Sequence, residues 1–157
     1  MSNLKQIASQ VRRDIMRMVH GVQSGHPGGS LGCADYFTAL FFGAMEHKPE
    51  FNMDGLHEDV FILSNGHISP VYYSSLARSG YFPVAELGTF RKLNTRLQGH
   101  PTTHEHLPGV RIASGSLGRA SALPLALHWV RNSTRTATLC IPCTVMGNCR
   151  KARSGKP

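Results

Sequence analysis

The sequence predicts an α/β domain in which helices flank a parallel sheet. Three observations carry this reading. The chain opens with a long stretch of helical period. A short, wholly apolar run, Val60-Phe61-Ile62-Leu63, sits between polar residues and is followed by Asn65-Gly66. The loops between periodic segments are rich in glycine and histidine. Strand followed by helix, with long polar connections, is the pattern of helices packed on a parallel sheet.

Leu4, Ile7, Ala8, Val11, Ile15, Met18, Val19 and Val22 recur at helical spacing, with Arg12, Arg13 and Arg17 on the other side. That spacing predicts an amphipathic helix over Leu4 to Val22, stopping at Ser24-Gly25 because Pro27 and two glycines follow. Ser30 is the expected N-cap of a second, buried helix from Leu31 to Met45. Val60 to Leu63 reads as a core strand, since strands buried on both faces are continuous apolar runs. Ser69 to Ser79 reads as the next helix, ended by Gly80, and Val84 to Lys92 as a short one. Asn94 to Gly118 has no period and reads as a long loop, a length that in compact domains goes with function or disorder.

Composition limits the function classes. The 157 residues are 41% hydrophobic and 17% charged, which argues against disorder. No apolar run reaches the roughly 18 residues of a membrane span, and the N-terminus has no apolar signal core, so a cytoplasmic address and no membrane partner are expected. Four cysteines do not make a disulfide scaffold at this length. The net charge of +8 looks like a nucleic-acid binder, but its placement argues against that class. Residues 1–118 hold ten Lys/Arg and nine Asp/Glu, whereas residues 119–157 hold seven Lys/Arg and no acid. The chain is therefore read as two parts, 1–118 and a basic tail, 119–157.

The chemistry lies in three loops that put histidine beside glycine: Gly25-His26-Pro27-Gly28-Gly29, Asn65-Gly66-His67 and Gly99-His100-Pro101. Glycine admits close backbone approach to a ligand, and imidazole moves protons near neutral pH. A single Gly-His pair is ordinary turn chemistry, but three in one α/β chain point to a site. His67 stands just beyond the strand, where ligands of open α/β sheets bind. Ser114-Gly115-Ser116-Leu117-Gly118 is a small-residue turn able to wrap a phosphate, a weak signal alone. His100, His104 and His106 match no thiol-containing zinc pattern and read as solvated loop histidines.

At these loops the chain resembles transketolase, in its N-terminal, thiamine-diphosphate-binding part. The matching segments are SGHPGGSLGCADYFTALFF, DVFILSNGHISPVYYSSLARSGYF and LQGHPTTHEHLPGVRIASGSLG, with the leading helix, in family order through residues 3–118. The GVRIASGSLG segment looks most like the short N-terminal subunits of transketolases split over two polypeptides. The resemblance implies a truncated α/β thiamine-diphosphate-binding domain. It also implies an enzyme that moves a two-carbon ketol unit between sugar phosphates, with Mg2+ holding the cofactor, and a C-terminal subunit with a homodimer-type assembly as partners. By the same resemblance His26 and His100 are the substrate-facing, catalytic histidines. His67 contacts the cofactor diphosphate, and Gly115, Ser116 and Leu117 form the cofactor-contacting loop.

The resemblance stops after Gly118. The family continues with a Gly-Asp-Gly motif whose Asp, with a later Asn, holds the divalent ion, and hard cations need such oxygen ligands. Residues 119–157 contain no Asp or Glu, so no metal ligand is assigned here. The genetic code explains the gap. When the last base of each codon is joined to the first two of the next across Thr138 to Pro157, the junctions permit LVYTLHGDGELQEGQIWEA, the family's own text. The tail is therefore read as frame-shifted, with irregular structure and at most a short helix near Leu125–Val130. Cys140, Cys143 and Cys149 and the basic run from Arg150 to Arg153 then need no zinc and no nucleic acid to explain them. The chain alone is expected to be inactive.

Overall fold

The computed structural model describes residues 2–55, 58–115 and 140–143. Ser116 and Leu117, the expected Leu125–Val130 helix and most of the basic tail lie outside these residues.

The first helix, α1, runs Ser2–Val22. Its buried face is Ala8, Val11, Ile15 and Met18, the 3-4-3 spacing that puts one residue per turn on one side. Val11 and Ile15 are fully buried, each worth about 1.5–3 kcal/mol relative to exposure. Asp14 shares that face and is buried too.

The second helical region departs from expectation. A short helix, α2, spans Pro27–Gly32 and another, α3, spans Ala34–Ala39, followed by a π turn over Leu40–Ala44. Ser30 is not an N-cap but lies inside α2, fully buried. Pro27, with its preset φ, starts the helix earlier than the serine would. His26 takes the cap position instead and makes no side-chain capping bond. The single helix expected over Leu31–Met45 is broken at Cys33 and widened at its end, where the Met45 amide donates to the Leu40 carbonyl at 2.9 Å.

Strand β1, Val60–Leu63, is buried at all four positions. It pairs in parallel with β2, Cys140–Cys143, in the register Val60↔Cys140 to Leu63↔Cys143. This ladder is the whole of the sheet among the described residues, which are otherwise mostly helical. β2 lies within the stretch read as an irregular tail. A 3-10 turn over Gly66–Ile68 leads from β1 into α4, Ser69–Arg78, where Pro70 again occupies the first turn. Every residue of α4 except Arg78 is buried. The helix ends in a Schellman arrangement: the Tyr81 amide donates to Leu76 and the Gly80 amide to Ala77. Gly80 supplies the positive φ, 93°, that this requires. Val84 to Lys92 proves shorter and tighter than a full helix, a 3-10 segment over Val84–Thr89.

The core lies between α1, α3, β1 and α4. Phe37, Phe41, Phe61 and Tyr72 form its aromatic centre, with Phe37–Phe61 and Phe41–Phe61 centroids both 5.3 Å apart at steep angles, an arrangement that adds to their burial. α4 therefore presents a rigid base to the loops around it.

Candidate active site

Each of the three histidine loops is placed by an element of this core. His26 caps α2, His67 lies in the turn between β1 and α4, and His100 lies in the long loop that crosses α4. The structure brings all three together. The His26 and His67 rings stand 5.2 Å apart, and the His67 and His100 rings 5.0 Å apart, both edge to face. All three residues are exposed, so the row forms an open surface rather than a packed core.

Glycines make the approach possible. A Cβ on Gly66 would run into His100 Cδ2 and lie 2.9 Å from Ser114 Oγ and 3.0 Å from the Gly115 amide nitrogen. One on Gly115, whose φ is +114°, would lie 2.8 Å from the same His100 carbon. The imidazole of His100 is thus held between two glycine backbones. Gly29 lets α2 close onto the His67 turn, since a Cβ there would meet Ile68 Cγ2 at 3.0 Å.

The His100 loop hangs on α4. The Ser69 hydroxyl donates to the Gly99 carbonyl at 2.7 Å, the Tyr73 phenol to Gln98 at 2.8 Å and the Tyr72 phenol to Gly109 at 2.7 Å. The Ser114 amide donates to the Pro101 carbonyl at 2.9 Å, folding the chain back toward Gly115. The Ser114 hydroxyl is buried beside Gly66 without a partner among the described residues.

The row is electrostatically poised. His100 titrates below its ordinary range through partial desolvation first, then through His67, Arg91 and His26, which disfavour a further proton. His67 Nδ1 lies 3.2 Å from Asn65 Oδ1, an oxygen that can only accept, so Nδ1 is the donor in that bond. Cationic and N–H-bearing groups with an orphaned hydroxyl fit an anion of the diphosphate kind. They do not fit a hard divalent cation, which needs oxygens. Among the described residues no cluster of three or more His, Cys, Asp or Glu is able to hold a metal ion. His104 and His106 are exposed and stand apart from the row's ring contacts; His104 lies 3.7 Å from Glu105.

Comparison with known proteins settles the family. The model of the transketolase, thiamine diphosphate binding domain matches residues 3–138. The chain belongs to the transketolase family. Transketolase of Buchnera aphidicola is 41% identical over 130 residues, which are 81% of this chain and 19% of that protein. Transketolase 1 of Escherichia coli is 38% identical over the same shares. The chain therefore spans about a fifth of the length of the curated transketolases it matches. Among solved structures, transketolase of Pichia stipitis in complex with sedoheptulose-7-phosphate is similar with TM-score 0.77 and 28% identity, over 90% of this chain and 22% of that one. Transketolase of Campylobacter jejuni is similar with TM-score 0.72 and 33% identity, over 84% and 21%. The match to transketolase extends past Gly118, the boundary drawn from composition.

Of the predicted site residues, the structure brings His26, His67, His100 and Gly115 to one place, while Ser116 and Leu117 lie outside the described residues. Sequence reasoning named Ser114 only as part of a turn able to wrap a phosphate, and missed Arg91. Ser114 is signalled by its place beside Gly115, and Arg91 by no motif at all. No helix among the described residues is long and apolar enough to cross a membrane.

Proposed function

We propose that this chain supplies the diphosphate-binding and substrate-facing histidine side of a transketolase centre. The observation that carries the proposal is the convergence of His26, His67 and His100 from three separate loops into one row. Thiamine diphosphate, when bound, supplies a thiazolium carbanion that serves as an electron sink for ketol transfer. His67 binds the diphosphate together with the Gly115 amide and the Ser116-Leu117 loop, its Nε2 carrying a proton to donate. His26 and His100 face the sugar phosphate and hold or move protons at its hydroxyl and carbonyl oxygens, a role suited to imidazole.

The same reading assigns the ion to Mg2+, whose family ligands lie in the Gly-Asp-Gly segment. In this chain that segment is replaced by residues 119–157, which carry no acid. The chain alone therefore neither holds the ion nor transfers a ketol unit, and a C-terminal transketolase subunit does not restore it. A cytoplasmic setting and the homodimer-type assembly belong to the same proposal.

Calorimetry tests it. Thiamine diphosphate is titrated into the full chain with and without magnesium, and into a chain whose frame is restored after Gly118 and extended. Magnesium-dependent binding only in the restored chain supports the reading. Magnesium-dependent binding in the unrestored chain overturns the assignment of the ion's ligands, and no binding in either overturns the site itself.

A further inference from the structure

Arg91 occupies an unusual place. Its backbone is left-handed, with φ 55°, a conformation costly for a long side chain. Its amide is held by the Leu97 carbonyl at 2.9 Å. Its guanidinium lies above the Phe90 ring at 5.5 Å, and Phe90 is itself almost wholly buried. From there Nη1 donates to the Ser24 hydroxyl at 2.6 Å, two residues before His26. The same guanidinium is pressed against Gly99, directly before His100. A Cβ on Gly99 would lie 2.7 Å from Arg91 Nε and 2.8 Å from Nη2. Nε is buried and makes no hydrogen bond among the described residues. A surface arginine held only by water needs none of these constraints.

We propose that Arg91 is a positioning residue that fastens the loop before His26 to the loop before His100 and so sets the spacing of the histidine row. The planar fork suits the role: Nη1 reaches Ser24 while the guanidinium carbon lies over the Phe90 ring and Nε and Nη2 stand against Gly99. Lysine offers a point charge without the plane. The cation also sits close enough to His100 to be among the groups, with His67 and His26, that hold its proton affinity down. The inference rests on the proposed site for its meaning, but its test does not use cofactor or activity.

The test is nuclear magnetic resonance on the full chain, comparing the parent with S24A, R91K and R91M. Amide order parameters at Gly25, His26, Gly99 and His100 are read beside the ring titrations of the three histidines. In the parent these amides are expected near the rigid value of about 0.85, and in R91M to fall toward 0.6 or below. His100 in R91M titrates higher than in the parent, because a repelling cation is gone. R91K keeps His100 low yet loosens the same amides. S24A, a change at an exposed position, loosens Gly25 and His26 and leaves the His100 midpoint in place. Unchanged order at Gly25 and His26 in both S24A and R91M overturns the proposal, as does loosening no greater than that of α4. If R91M does not fold, S24A alone decides. Failure of the parent to bind thiamine diphosphate counts against the proposed function and leaves these readings untouched.

Discussion

The ring of His67 stands edge-on to the ring of His100 at 5.0 Å and 78°, and edge-on to that of His26 at 5.2 Å and 87°. Three imidazoles this close share one electrostatic environment. His67 and His26 are among the groups that make His100 harder to protonate.

His100 therefore has a folded-state titration below its unfolded value of about 6.5. A base held neutral in the folded state binds more protons when unfolded. Its contribution to stability is complete above about pH 6.5 and is lost as pH falls below that value toward the folded-state midpoint. Ring titration by nuclear magnetic resonance should place His100 below the ordinary value. Melting temperature should decline on acidification through pH 6.5. A His100 midpoint at or above 6.5 contradicts the arrangement.

Asp14 joins α1 to α4. Its carboxylate accepts from Ser74 Oγ at 2.9 Å and from Arg78 Nε and Nη2 at 2.6 and 3.1 Å. Asp14 is 3% exposed, so these donors stand in for the water its carboxylate has lost. Asp14→Ala strands the guanidinium at the helix interface and should destabilise by about 3 kcal/mol. Ser74→Ala should cost about 1 kcal/mol. Urea midpoints at unchanged slope measure both, and equal effects would refute the ranking.

Two glycines near the site should respond in opposite directions. Gly66→Ala drives a methyl into the His100 ring and should cost about 1–3 kcal/mol, with a displaced His100 titration. Gly28→Ala, in α2, meets nothing within 4 Å and should stabilise by about 0.4–1 kcal/mol. Thermal unfolding of both variants separates close approach from backbone freedom.

Tyr73→Phe removes the phenol that donates to the Gln98 carbonyl and should cost about 1 kcal/mol. Faster amide exchange should be confined to the segment from Gln98 to His100. Exchange rising equally along α1 would show that the phenol serves the core rather than the loop. Burial pushes both α4 tyrosines well above the ordinary phenol range, so their hydroxyls stay protonated donors through neutral pH.

Much of the architecture was legible in the residues. The 3-4-3 apolar spacing of α1 and the continuous apolar run of β1 carry their own period, and Gly80 marks the end of α4. The Pro27–Ala44 region was not legible in detail. Apolar content over Leu31–Met45 is helical throughout, but the start is decided by Pro27, and no residue signal marks the break at Cys33. The three Gly-His loops marked the candidate site, because glycine beside histidine has a physical reason there. Their 5 Å spacing was invisible, since it depends on Ser69, Tyr72 and Tyr73 holding a loop from beneath. Arg91 left no trace, because its partners Ser24 and Gly99 lie in other segments.

The way that loop is hung has an engineering consequence. Ser69, Tyr72 and Tyr73 grip it at Gly99, Gly109 and Gln98, all from one face of α4. Between the grips the chain runs over the surface to an exposed tip, where the His104 side chain is 92% accessible and His106 takes a left-handed turn. Closing a flexible loop costs only about 0.6 kcal/mol more for each doubling of its length. The tip at His104 to His106 is thus a place where the chain can be lengthened, tagged or grafted while its two feet stay fixed. Foreign sequence inserted there would leave the loop's three anchors on α4 in place.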